Sequence, residues 1–268
     1  MSREIKLTLF VLLIMGITVV FLGCGLMERI NKPKEIRDIA YDVNKNHGYT
    51  VYLKENAKFV PYLVLTDDYN GNCLLLRKHI LNEVMIFNPN DRYNGYYENC
   101  VIDKFLNEEF INSFTPEVQK QIIDSEIVIT AKSSLGSCGK DTTDINRKIF
   151  LLSCTELGLR EHAGAAVEGK VLKYFPNSTS RIAYLETGVA AGWWLRTSCT
   201  EYDTTVWSVS FDATTGSVGL DYTNGARPAF CIDGKTLIKT SDDVIKGGKQ
   251  FIFLSEKYKS GDFTAILN

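Results

Sequence analysis

Apolar positions fall into three rhythms along the chain. The first is continuous: Leu7 to Met27 carries no charge, behind Arg3 and Lys6. The second is strand-like, with aromatic and branched residues crowding Tyr49–Leu53 and Phe59–Leu65. Cys73–Arg77 follows across Asp68-Tyr69-Asn70-Gly71-Asn72, and Asn-Gly accepts the positive φ angles of a tight turn, so a hairpin is expected there. The third is helical. Across 99–125, Val101, Phe105, Leu106 and Phe110 share one face while Asp103, Lys104 and Glu108 share the other. Thr115-Pro116-Glu117 opens a second helix, with Thr115 as N-cap, Pro116 at the first helical position, and Val118, Ile122 and Ile123 as the buried stripe.

Strand character returns at Glu126–Thr130 and Lys148–Leu152, and the Gly-, Ser- and Thr-rich Ser133–Asp144 between them reads as an exposed loop. Ser153 and Glu156 have capping-box spacing, which predicts a short helix over Thr155–Glu161. Residues 162–191 are small and polar and read as a surface excursion. Four short strands follow, Gly192–Arg196, Thr205–Phe211, Ser217–Tyr222 and Ala226–Ile232. The tail offers Gln250–Leu254 and Phe263–Leu267 as one more hairpin. The resulting organisation is a signal peptide or membrane anchor at 1–23, a lipidation site and stalk at 24–47, an α+β domain at 48–238 and a C-terminal extension at 239–268.

Charge narrows the function classes. Thirty Lys and Arg against 32 Asp and Glu leave no basic surplus for phosphates, so no nucleic-acid partner is expected. Without a C-x-x-C pair, and with His47, His79 and His162 scattered, neither a metal site nor a cofactor is expected. Setting Cys24 aside leaves Cys73, Cys100, Cys138, Cys154, Cys199 and Cys231, an even number that suits either bridges or buried thiols.

The leader sets the compartment. At about 1.5 Å per residue, Leu7–Met27 reaches about 30 Å as a helix, enough for a bilayer core. Phe21-Leu22-Gly23-Cys24 resembles the lipobox of bacterial lipoproteins, which implies cleavage before Cys24 and a diacylglycerol on its sulfur. An uncut single-pass helix is the alternative. Both readings attach the chain to the extracellular face of the cell membrane, by lipid or by helix, in a Gram-positive-type envelope.

Two later motifs carry a family resemblance. Gly192-Trp193-Trp194-Leu195-Arg196 and Gly225-Ala226-Arg227-Pro228 resemble the paired W-W-L-R and G-V-R-P motifs of an uncharacterised bacterial extracellular domain family. Ile102–Phe114, Thr115–Ile123 and Ile149–Glu156 are similar to its W-L-N-x-x-F, S-x-x-E and V-F-L-L-S-x-x-E segments, with Phe105 where many members have Trp and Ala226 in place of Val. The resemblance implies a C-type-lectin-like fold, two main helices on a twisted, mostly antiparallel sheet with long loops. Adjacent Trp193 and Trp194 point to opposite faces of a strand, and Arg196 and Arg227 lie in apolar strands where a buried guanidinium needs acceptors, so structural roles are expected for these four and for Pro228.

The loops 82–99, 131–147 and 162–191 suggest a non-catalytic module that meets an extracellular glycan or protein. Tyr93, Tyr96, Tyr97, Tyr202, Asp203, Trp207 and Asp212 are its candidate contacts, since Tyr and Trp offer flat apolar faces with a polar tip. The rival is an extracellular enzyme of the formylglycine-generating branch, in which Cys199 and Cys231 would form a copper pair. Labelled palmitate is expected to enter the protein, and Cys24→Ala to abolish that labelling; labelling that survives the substitution contradicts lipidation at Cys24.

Overall fold

The computed structural model describes residues 34–44, 50–89, 95–159, 164–240 and 252–254. The leader and Cys24 lie outside the described residues, as do Tyr93 and the strand expected at Phe263–Leu267. The chain divides into two units, Met1–Lys34 and Glu35–Asn268, and the side chains described belong to the second.

The core of that unit is a curled antiparallel sheet. Strands β1 (Thr50–Glu55), β2 (Lys58–Tyr69) and β3 (Asn72–Arg77) form a meander. Its second turn is the expected Asn-Gly hairpin, with φ of 53° at Asn70 and 82° at Gly71. Strand β3 then pairs with the distant segment Ala229–Ile232, residues that set Leu74–Leu76 and Phe230 in the fully buried centre.

The helical expectation is overturned. The described residues are mostly β, with 38% of them in strands, 15% in helices and one helix of 13 residues; this is not two main helices on a sheet, and the α+β, C-type-lectin-like reading falls with that. Helix α1 begins at Val101–Lys104, passes through a π turn at Phe105–Glu109 and ends as a 3-10 turn at Phe110–Ser113. The Asn107 amide donates to the Asp103 carbonyl and to the Ile149 carbonyl, both at 2.9 Å, and accepts from the Ile149 N–H. A side chain inserted into the helix ladder in this way goes with the widened turn.

The second helix, α2 (Pro116–Gln121), starts at its Thr115 cap as expected but stops after six residues. Ile122 and Ile123, expected on its buried stripe, instead form β4 (Ile122–Ile123) and pair with Ile232 and Cys231. An open sheet edge rewards branched side chains more than another helical turn would.

Two polar stretches also depart from expectation. Strands β5 (Ser125–Thr130) and β6 (Thr142–Arg147) form a hairpin, so the exposed loop is confined to the residues between them. Strand β7 (Ile149–Phe150) follows. Thr155–Leu159 is a set of turns rather than a helix, although the Ser153–Glu156 capping box is present, with the Glu156 N–H on Ser153 Oγ at 3.1 Å and the Ser153 N–H on Glu156 Oε2 at 2.9 Å. The 164–191 excursion buries Glu168, Leu172 and Phe175 and is part of the body. So is Glu35–Asn44 from the expected stalk, where Ile36 and Ile39 are buried and the Tyr41 N–H donates to the Val64 carbonyl at 3.0 Å.

A three-stranded sheet completes the body: β8 (Trp193–Ser198), β9 (Thr205–Val209) and β10 (Thr215–Gly219), in that order. Strands β11 (Ala229–Ile232), β12 (Leu237–Thr240) and β13 (Ile252–Leu254) return to the large sheet, β13 running parallel to β1.

The two motifs meet through their glycines. The Trp194 N–H donates to the Gly225 carbonyl at 2.9 Å, and the Gly225 N–H to the Gly192 carbonyl at 3.2 Å. A Cβ on Gly225 would collide with Ile80 and lie 2.9 Å from the Gly192 oxygen, so the backbones can approach only without it. Gly225→Ala is expected to destabilise the fold by about 1–3 kcal/mol, as overpacking does; a thermal melt identical to wild type contradicts this close crossing.

Candidate functional site

Both motif tryptophans are fully buried, and each indole N–H reaches a carbonyl, Trp193 that of Arg181 at 3.2 Å and Trp194 that of Met85 at 2.9 Å. They are structural in this fold, and so is Arg196. Its guanidinium is wholly buried and meets the Glu156 carboxylate in two parallel bonds, Nη1 to Oε2 at 2.7 Å and Nη2 to Oε1 at 2.8 Å. Its remaining donors reach the Leu151 carbonyl at 2.8 Å and the Val128 carbonyl at 3.0 Å.

A second buried carboxylate, Glu168, stands 4.0 Å from Arg196 Nε. It accepts from the Thr130 N–H, the Thr130 hydroxyl and the Thr197 hydroxyl, each at 2.6 Å. Burial holds the Glu168 carboxyl above its ordinary range, and Arg196 and the two threonines pull against that. Burial also opposes the charge on Arg196, but Glu156 outweighs it and holds the guanidinium ionised. Tyr69 donates its hydroxyl to Glu156 Oε1 at 2.6 Å.

An open groove of about 1060 Å³ lies over this pair. Tyr69, Val128 and Gly169 line it and also touch the pair beneath. Gly169, at φ +84°, faces Glu156 Oε1 so closely that a Cβ would stand 3.2 Å from it. The end of β2, the turn after it and β5 contribute Asp67, Tyr69, Asn70 and Glu126, the 167–173 segment contributes Lys170 and Lys173, and Tyr41 comes from the segment before β1. The Tyr41 ring meets Tyr174 edge to face at 5.1 Å, and Tyr69 stacks on Phe150 at 5.8 Å. Among the described residues, Asp67, Glu126, Lys170 and Lys173 make no ion pair with one another. The groove thus offers unneutralised charges of both signs beside half-buried rings.

The sequence candidates separate. Tyr97 is fully buried and its hydroxyl accepts from the Leu151 N–H at 3.2 Å, which places it in the core. Trp207 is also buried, with its indole N–H on the Gly164 carbonyl at 3.3 Å. Tyr96 is half-buried, with its hydroxyl on Glu98 at 3.3 Å. Asp203 and exposed Tyr202 sit where several loops converge: the Gly95 N–H reaches the Asp203 carbonyl at 2.6 Å, the Cys138 N–H the Thr200 carbonyl at 2.8 Å, and the Thr200 N–H the Gly164 carbonyl at 2.8 Å. Asp212 is at the other end of β9, holding its own turn through the Thr214 N–H and hydroxyl. None of these lines the groove. Of the groove residues, Asp67 was visible in the sequence only as a turn residue, and nothing there ties it to Lys170.

Cys199 and Cys231, the copper pair of the enzyme reading, lie on different elements. Cys231 pairs with Leu74 at the centre of the large sheet, whereas Cys199 lies at the end of β8 with its N–H on the Thr205 carbonyl. Burial pushes the Cys73 and Cys231 thiols up to about 12, so they are protonated and unreactive at neutral pH.

Arg227 differs from Arg196. Among the described residues no carboxylate lies within ion-pair distance of it; it is buried, its guanidinium lies over the Trp193 ring at 4.8 Å, and it donates to the Arg77 and Lys78 carbonyls at 3.3 Å each. Burial lowers its pKa to about 10. The adjoining Pro228, which has no N–H to offer, accepts the Arg77 N–H at 2.9 Å.

Arg196→Met removes the partner of a buried carboxylate and is expected to cost about 3–5 kcal/mol. The melting temperature should fall by roughly 10 °C. A variant as stable as wild type contradicts the central place given to this pair.

No helix among the described residues is long and apolar enough to cross a membrane. No curated protein and no solved structure matches the chain. A family described as a domain of unknown function (DUF6273) matches residues 70–234. That span holds Glu156, Glu168, Arg196, Arg227 and the 167–173 side of the groove, and stops short of β1 and Tyr41. The chain belongs to the DUF6273 family.

Proposed function

We propose that the chain is a surface-anchored, non-catalytic binding module for an extracellular glycan or protein, with the groove over the Arg196–Glu156 pair as its contact surface. The observation that carries this reading is the division of charge. The buried acids Glu156 and Glu168 are saturated with donors and are spent on structure, while Asp67, Glu126, Lys170 and Lys173 in the groove have their charges free for a ligand. Rings beside such groups suit a polar polymer, whose apolar faces lie on tyrosine while its hydroxyls or amides reach the charges. Attachment at Cys24 or by an uncut leader would hold the groove at the outer face of the membrane.

The test is a screen of envelope glycans and surface proteins against the full chain, followed by Asp67→Asn and Lys170→Ala. Each substitution is expected to weaken binding roughly tenfold or more, the worth of a charged hydrogen bond. Melting temperature should stay put, because both side chains are exposed. A ligand whose affinity ignores both substitutions, or a screen without any ligand, contradicts the proposal.

A further inference from the structure

Among the described residues, no further strand pairs along the outer side of the three-stranded sheet. Strand β10 pairs with β9 and with no other strand among the described residues. At one end of this ladder the Leu220 N–H donates to the Thr204 carbonyl, and at the other the Ser210 N–H donates to the Thr214 carbonyl. Antiparallel ladders alternate between bonded and non-bonded pairs, so Val206–Val218 and Ser208–Gly216 are bonded and Trp207–Ser217 is not. Ser217 therefore turns both its N–H and its carbonyl away from β9. Gly219 turns its N–H the same way, while its carbonyl is taken by the Tyr222 N–H at 3.1 Å.

Nothing in the strand blunts this edge. Thr215-Gly216-Ser217-Val218-Gly219 contains no charge and no Pro, the usual guards against strand addition. Nothing lies within 4 Å of where a Cβ on Gly216 would stand. An exposed ring flanks each end, Phe211 at 62% and Tyr222 at 63% exposure, and each ring has a neighbouring exposed carboxylate, Asp212 and Asp221. Five extended residues span roughly 17 Å, so the rings mark the two ends of a docking edge rather than one pocket.

We propose that β10 accepts an extended peptide as an added antiparallel strand, neutral through its centre and carrying Lys or Arg at both ends. Ser217 supplies an N–H and a carbonyl, and Gly219 an N–H. The basic side chains lay their stems along Phe211 and Tyr222 and bring their cations to Asp212 and Asp221. A second copy of the same edge suits the charges less well. Antiparallel pairing centred on Ser217 would set Asp212 of one copy opposite Tyr222 and one residue from Asp221 of the other, bringing like charges close.

The experiment titrates the full chain in detergent micelles with the synthetic peptide Lys-Thr-Val-Thr-Val-Thr-Lys and with its analogue bearing Glu at both ends. Saturable binding of the lysine peptide alone is expected, with slowed amide exchange at Ser217 and Gly219. Ser217→Pro removes an outward N–H, and together with Tyr222→Ser it should lower affinity roughly tenfold or more. If Ser217→Pro disturbs folding, Asp221→Lys with Asp212→Lys leaves the backbone intact and should reverse the preference toward the glutamate peptide. Lys170→Ala in the groove should leave peptide binding unchanged, which separates this edge from the groove reading. Failure of the lysine peptide to bind, equal binding of both peptides, or dimerisation through β10 without peptide would overturn the proposal.

Discussion

A fully buried arginine must have its donors met inside the protein, and Arg196 imposes that requirement on most of this fold. Its guanidinium draws in the carboxylate of Glu156 and the carbonyls of Leu151 and Val128, while Glu168 stands alongside. Each partner comes from a segment far away in sequence. Removing such a pair from water costs several kcal/mol per ion, repaid only when the geometry is good and the remaining lone pairs are filled. Here they are filled: Tyr69 and Ser153 complete Glu156, and Thr130 and Thr197 complete Glu168. The pair fixes how the β5 hairpin, the 153–159 turns and the 164–173 segment sit against β8.

That constraint explains both the groove and the character of the proposed function. The residues that hold the pair from above, Tyr69, Val128 and Gly169, are also part of the groove lining. Glu156 and Glu168 are hydrogen-bonded to capacity, and burial holds the Cys73 and Cys231 thiols protonated. The exposed charges of the groove suit the recognition proposed above. The glycine crossing at Gly192 and Gly225 does similar work on the other side of β8, bringing the Arg227 motif against Trp193.

Legibility in the sequence followed the range of the interactions. The meander and its Asn70-Gly71 turn were readable because alternation and turn chemistry are local. The Thr115 cap and the Ser153–Glu156 box were readable for the same reason, yet the helix after Thr115 stops early and none forms after Ser153. Ile122–Ile123 left the helical path for a strand more than a hundred residues away, and Glu156 was claimed by Arg196. The structural role of Trp193, Trp194 and Arg196 could be anticipated, since buried arginines need acceptors, but the identity of the acceptors could not. Tyr97 looked like a loop contact and is a core ring, because its buried hydroxyl finds the Leu151 N–H across the body. The groove was invisible: Asp67, Glu126 and Lys170 have no shared local pattern, and only the tertiary fold brings them together.

The most direct measurement of the central claim is the nitrogen-15 spectrum of the arginine side chains. A guanidinium locked between Glu156 and two backbone carbonyls should give Arg196 separate Nη signals, with hindered rotation and protons that exchange slowly with water. A single averaged Nη signal with rapidly exchanging protons would contradict the account.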